Sequence, residues 1–153
     1  MRIAVVLACS LTLAAGCGGG NDASSAPAPT WNGPQAPYPP SGILPVARFD
    51  AYARAVDGEW ERTPEDVAVE FVQPARFDAQ VVSSSWDPVE EGVVNAVVTA
   101  QGLADDSIRD LRFVMRLRFD PRESVWSLVE SARWSQRCRV GRGHQAFSTE
   151  LCV

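Results

Sequence analysis

Few side chains in this 153-residue chain have both the type and the setting to do chemistry, and most lie in its last third. His144 is the single histidine. Gly141 and Gly143 beside it permit a tight turn, and Arg139 and Arg142 are close in sequence, so His144 is a candidate for an anion site or an acid/base group. The plainer reading is an exposed loop residue. Glu130 is the second candidate. In an extended run its parity places it on the face of Trp126, Leu128 and Trp134, where a carboxylate in an apolar pocket has a raised pKa and could act as a general base. A bulge or a partner arginine would explain it without catalysis. Arg112, Arg116 and Arg118 alternate along one run. With Arg133, Arg137, Arg139 and Arg142 they could form a surface for anionic headgroups or an acidic partner. Glu90-Glu91 and Asp105-Asp106 fall at expected turns, where solvated acids are commonplace. No Gly-x-Ser-x-Gly elbow, phosphate-binding glycine loop or His-Glu-x-x-His pattern occurs, so no catalytic residue stands beyond Glu130 and His144, and no cofactor is called for.

Charge is distributed unevenly along the chain. Residues 43–106 carry four Arg against thirteen acids, a net of −9, and residues 107–143 carry nine Arg against four acids, a net of +5. All 14 basic residues are Arg. The acidic half can complement the basic half inside one fold, which is the competing account of the arginine surface.

The elements that must position these residues follow from periodicity. Val46, Phe49, Ala53 and Val56 recur at helical spacing behind Pro45 and stop near Asp57-Gly58. Thr63-Pro64-Glu65-Asp66 is a helix start, with a Thr N-cap, Pro in the first turn and acids facing the positive end of the dipole; this helix carries Val67, Ala68, Phe71 and Val72 and ends before Pro74. From Gln80 the period becomes two. Strands are expected over Gln80–Trp86, Val93–Gln101, Leu111–Phe119 and Val125–Arg137, joined by turns at Asp87–Gly92 and Asp120–Ser124. Helices followed by a four-stranded antiparallel meander with one apolar face make an α+β two-layer domain, the two helices packed on the sheet. The order of elements over 43–137 resembles the cystatin-like and nuclear transport factor 2-like superfamily, whose curved sheet wraps its N-terminal helices around a cone-shaped pocket. The resemblance is architectural and implies a pocket enzyme only as an alternative, built on Glu130 with neighbouring Arg or Asp.

The N-terminus carries an address. Met1-Arg2 and the predominantly apolar run Ile3–Ala15 form a signal peptide over 1–16; 13 residues are too few to cross the ~30 Å hydrocarbon core as a helix. Leu13-Ala14-Ala15-Gly16-Cys17 resembles the lipobox of bacterial lipoproteins, with Ala14 where that family prefers Leu. The resemblance implies cleavage before Cys17 and a diacylglycerol on its thiol. The chain would then be anchored by lipid to the outer face of the cell membrane, or to an outer membrane in a Gram-negative cell. The 25 residues Gly18–Gly42 hold six prolines among Gly, Ser and Ala, so residues 17–42 are expected to be a lipidated, disordered tether and 43–153 one folded domain.

Cysteine accounting rests on that assignment. Cys9 leaves with the signal peptide and Cys17 takes the lipid, which leaves Cys138 and Cys152 to form a disulfide in an oxidising compartment. Two Cys and one His fall short of the usual four zinc ligands, so no metal is expected. The Cys138–Cys152 segment resembles the ending of uncharacterised lipoproteins of high-GC Gram-positive bacteria. Export, a pI of about 4.8 and the absence of a recognition motif argue against nucleic acid. The functional expectation is a non-enzymatic binding or accessory module at the cell envelope, with an envelope protein or a small ligand as partner.

Overall fold

A computed structural model describes residues 27–153, so the signal peptide, Cys17 and the first part of the expected tether lie outside the described residues. The chain is α+β. A five-stranded antiparallel open sheet is formed by β1 (Ile43–Leu44), β2 (Val81–Glu90), β3 (Val93–Gln101), β4 (Ile108–Asp120) and β5 (Val125–Cys138) in the order β1-β5-β4-β3-β2. Two helices, α1 (Ala47–Ala53) and α2 (Pro64–Val72), precede the meander, with a 3-10 turn at Glu59–Arg62 between them.

Local chemistry explains the elements. Thr63 caps α2 as its sequence requires: its Oγ1 accepts the Asp66 N–H at 3.1 Å, and Pro64 occupies the first turn. Gln73 closes the helix in the left-handed region (φ 51°), immediately before Pro74. Alternation along β4 puts Leu111, Phe113, Met115 and Leu117 inward, opposite Val94, Ala96, Val98 and Ala100 of β3 and Leu128, Ala132 and Trp134 of β5. Phe49 of α1 and Val67, Ala68, Phe71 and Val72 of α2 join these residues in one core. Asp110 ties the far end together: 2% exposed, it accepts from the Gly102 N–H (3.0 Å) and Arg109 Nε (2.9 Å) and pairs with Arg137.

The element boundaries depart from expectation at four places. A fifth strand, β1, pairs with β5 at Ile43↔Arg133 and Leu44↔Ala132, and a bridge between Gln136 and Ser148 continues along that edge; two residues are too short to show a period. β2 runs through Asp87-Pro88 to Glu90 instead of stopping at Trp86. It is the free edge of the sheet, where proline costs no ladder bond, and the register shifts between Pro88 and Glu90. Helix α1 ends at Ala53, and the expected continuation to Val56 is a turn.

The fourth departure concerns the tether, because residues 31–42 pack onto the domain. Trp31 lies 5.4 Å from Phe49 and 5.5 Å from Phe71, and its indole N–H donates to the Phe71 carbonyl at 2.8 Å. Tyr38 packs on Phe113 and Trp134, the Trp134 indole donates to the Pro39 carbonyl (2.8 Å), and Arg76 donates to the carbonyls of Asn32 and Pro34 and to the Tyr38 hydroxyl. Two aromatic anchors offset the ordering cost that composition alone predicts to be prohibitive.

Candidate functional site

A groove of about 840 Å³ opens where α1 and the 3-10 turn face the β4–β5 hairpin. Its apolar walls are Phe49 and Ala53 of α1, Trp60 of the 3-10 turn, and Val125, Trp126 and Leu128 at the start of β5. The helical periodicity that buries Phe49 turns Asp50, Ala53 and Arg54 to its margin, and the polar hairpin tip supplies Asp120 and Glu123. The aromatic wall is pre-packed: Trp60 lies 5.7 Å from Phe49 and stacks on Tyr52 (5.9 Å, 11° between planes), and Trp126 packs on Phe119 at 5.3 Å.

The electrostatics are one-sided. Asp50, Asp57, Glu61, Asp120 and Glu123 line the groove against Arg54 and Arg62, five acids to two bases and a net of −3. Among the described residues none of these five carboxylates lies in an ion pair; Arg62 approaches Glu59 instead, at 3.9 Å. Burial pushes the Asp50 carboxyl above its ordinary value against the pull of Arg54. Burial also raises Glu61, helped by the like charges of Asp57 and Glu123 and opposed by the Gly58 N–H and Arg62. No His or Cys lines the groove, and its one hydroxyl is that of Ser127.

The residues singled out in the sequence lie elsewhere. Glu130 does not face the core. Between Met115 and Leu117 of β4, β5 advances from Ala132 to Leu128, so β5 carries two extra residues in a bulge, and there Glu130 is exposed with a left-handed backbone (φ 70°). Parity counted along an unbroken strand placed it inward. His144 sits beside the disulfide Cys138–Cys152, whose Cα atoms are 5.4 Å apart, inside the loop that the bridge closes. His144, Cys138 and Cys152 bring their ligand-type atoms within 4.8 Å of one another, but the two sulfurs are bonded to each other and neither is a thiolate. The ring nitrogens face the carbonyls of Ala146 (2.7 Å) and Glu150 (2.9 Å), and the carbonyl of Glu150, then that of Ala146, holds the imidazole above its ordinary pKa.

By register Arg112, Arg116, Arg118, Arg133 and Arg137 share one face of the sheet, but three of the five are engaged by partners within the chain. The Arg112 guanidinium lies over the Phe147 ring at 3.8 Å, Arg116 pairs with Glu90 at 3.0 Å, and Arg139 donates to the carbonyls of Asp105 and Leu103. Arg118 is exposed beside Arg122 in a shallow depression, and Arg142 is exposed in the loop closed by the disulfide. Arg137 donates to the buried Asp110, its cross-strand partner on that face, so part of the basic half is used inside the fold.

Comparison of the chain with protein-family models, with curated proteins and with solved structures returns no match. Of the groove residues missed in the sequence, Asp50, Asp57, Trp60 and Glu61 left one trace there, the excess of acids around aromatic residues in the first helical segments, and Glu123 left none.

Proposed function

We propose that this protein is an exported lipoprotein, anchored through Cys17 to the outer face of the membrane, whose α+β head is a non-enzymatic binding module of the cystatin-like or nuclear transport factor 2-like cone type. The observation that carries the binding role is the groove: a concave, largely pre-packed apolar surface with polar groups at its rim, in the size range of small-ligand sites. The address rests on the short apolar run ending in Leu13-Ala14-Ala15-Gly16-Cys17. The pocket-enzyme alternative, which needed Glu130 inside the cone, takes no support from an exposed bulge residue.

Cell fractionation tests the anchor. Cys17→Ala should move the protein from the membrane fraction to the soluble fraction, and undiminished membrane retention of the variant would sink the assignment. The binding role is tested by the titrations that follow.

A further inference from the structure

We propose that the groove takes an organic ammonium ion with an apolar body, an inference that rests on the groove's being the binding site. Three observations select this class. First, the five acids come from separate segments, Asp50 on α1, Asp57 and Glu61 around the 3-10 turn, and Asp120 and Glu123 on the hairpin, so the fold itself gathers like charges around one concavity. Glu61 and Glu123 lie far apart in sequence, yet the charge of one acts on the other. Second, the excess is only partly relieved within the chain: among the described residues no ion pair reaches any of the five, and although Arg54 and Arg62 draw on Asp50 and Glu61 and the Arg122 N–H donates to Asp120, the net charge stays negative. Third, the walls beneath are aromatic and aliphatic, with Trp60, Trp126, Phe49, Val125 and Leu128 in place.

Each alternative class meets an obstacle. An anion would enter against a net charge of −3. A bare metal ion would gain nothing from the indole walls, and a neutral apolar molecule would leave the carboxylates repelling one another. An ammonium group donates hydrogen bonds to the rim carboxylates, lies against the negative faces of Trp60 or Trp126, and leaves its hydrocarbon part to cover Phe49, Val125 and Leu128.

Three probes that share a phenylethyl body separate the contributions: 2-phenylethylammonium, 2-phenylethanol and 3-phenylpropanoate. Each is titrated into the full-length protein in non-ionic detergent near neutral pH, and the indole N–H resonances of Trp60 and Trp126 are followed. The ammonium should bind about tenfold more tightly than the alcohol, and the carboxylate most weakly. Glu61→Gln combined with Glu123→Gln should bring the ammonium to within about threefold of the alcohol. Trp126→Ala should weaken both ligands. Glu123→Gln alone, at an exposed hairpin position, keeps the test available if the double variant fails to fold, and it should narrow the same gap. Equal affinity for ammonium and alcohol overturns the cation preference while the binding role stands. If none of the three probes shifts either indole resonance, the binding role falls, and this inference with it.

Discussion

Trp31→Ala separates a free tether from a packed strap. The ring lies between Phe49 and Phe71 and donates to the Phe71 carbonyl, so truncation removes two aromatic contacts and one hydrogen bond from the underside of α2. A fully buried Trp→Ala change costs about 3–5 kcal/mol. Trp31 is only half-buried, so its packing share should be about 1.5–2.5 kcal/mol, and the lost hydrogen bond adds about 1 kcal/mol, giving about 2.5–3.5 kcal/mol in all. At roughly 4 °C per kcal/mol for a domain of this size, the melting temperature should fall by about 10–14 °C. Urea and thermal unfolding of the full chain, followed by far-ultraviolet circular dichroism, measure both numbers. Pro29→Gly, in the exposed stretch just upstream, should stay within about 0.5 kcal/mol of the parent and serves as the control. A Trp31→Ala protein as stable as that control would refute the strap and return the start of the domain to Ile43.

Asp110→Asn should cost about 2–4 kcal/mol, because it removes the charge that Arg109 and Arg137 share at a buried position, whereas Arg116→Ala, which breaks an exposed pair with Glu90, should cost under about 1 kcal/mol; equal urea midpoints for the two variants would contradict this ranking. Burial opposes the Asp110 charge, but Arg109, the Gly102 N–H and Arg137 together hold its pKa below the ordinary 3.8. Its contribution is therefore present above 3.8 and lost as pH falls through the lower folded value, so Asp110→Asn should flatten the acid limb of the stability profile. The sign is opposite for His144: its pKa is raised above the ordinary 6.5, so its contribution is complete below 6.5 and lost as pH rises through the folded value. Ring-proton titration should give a midpoint above 6.5 in the parent, and a normal midpoint would remove the two-carbonyl clasp; His144→Gln should abolish the alkaline loss of stability.

Period and punctuation were enough for the parts of the fold that bury one clean face. Leu111 to Phe119 alternate without a break, Thr63-Pro64 announces α2, and two cysteines within a single loop pair as their number required. The failures share a cause: each depended on a contact distant in sequence. Glu130 was assigned by counting alternate residues through a bulge that only the pairing with β4 defines. Trp31 and Tyr38 sit in a proline-rich stretch whose average composition argues for disorder, and the partners that order them, Phe71 and Trp134, lie 40 and 96 positions further along. The groove is less legible still. It joins residues 49–62 to residues 120–128, and nothing local distinguishes its acids from solvated ones.

The strap changes what the proposed anchor can do. If Cys17 carries the lipid and packing begins at Trp31, only the 14 residues Cys17–Thr30 separate membrane and head, against the 26 of residues 17–42. Fully extended, 14 residues span at most about 50 Å, roughly half the reach of the longer segment. A head so anchored would keep its acidic groove within that upper bound of the membrane surface, where cations gather near anionic headgroups. The same arithmetic predicts that lengthening the segment upstream of Trp31 leaves the groove intact and changes only where it samples. Shortening it past Trp31 removes part of the fold instead, because Phe49 and Phe71 lose the ring that covers them.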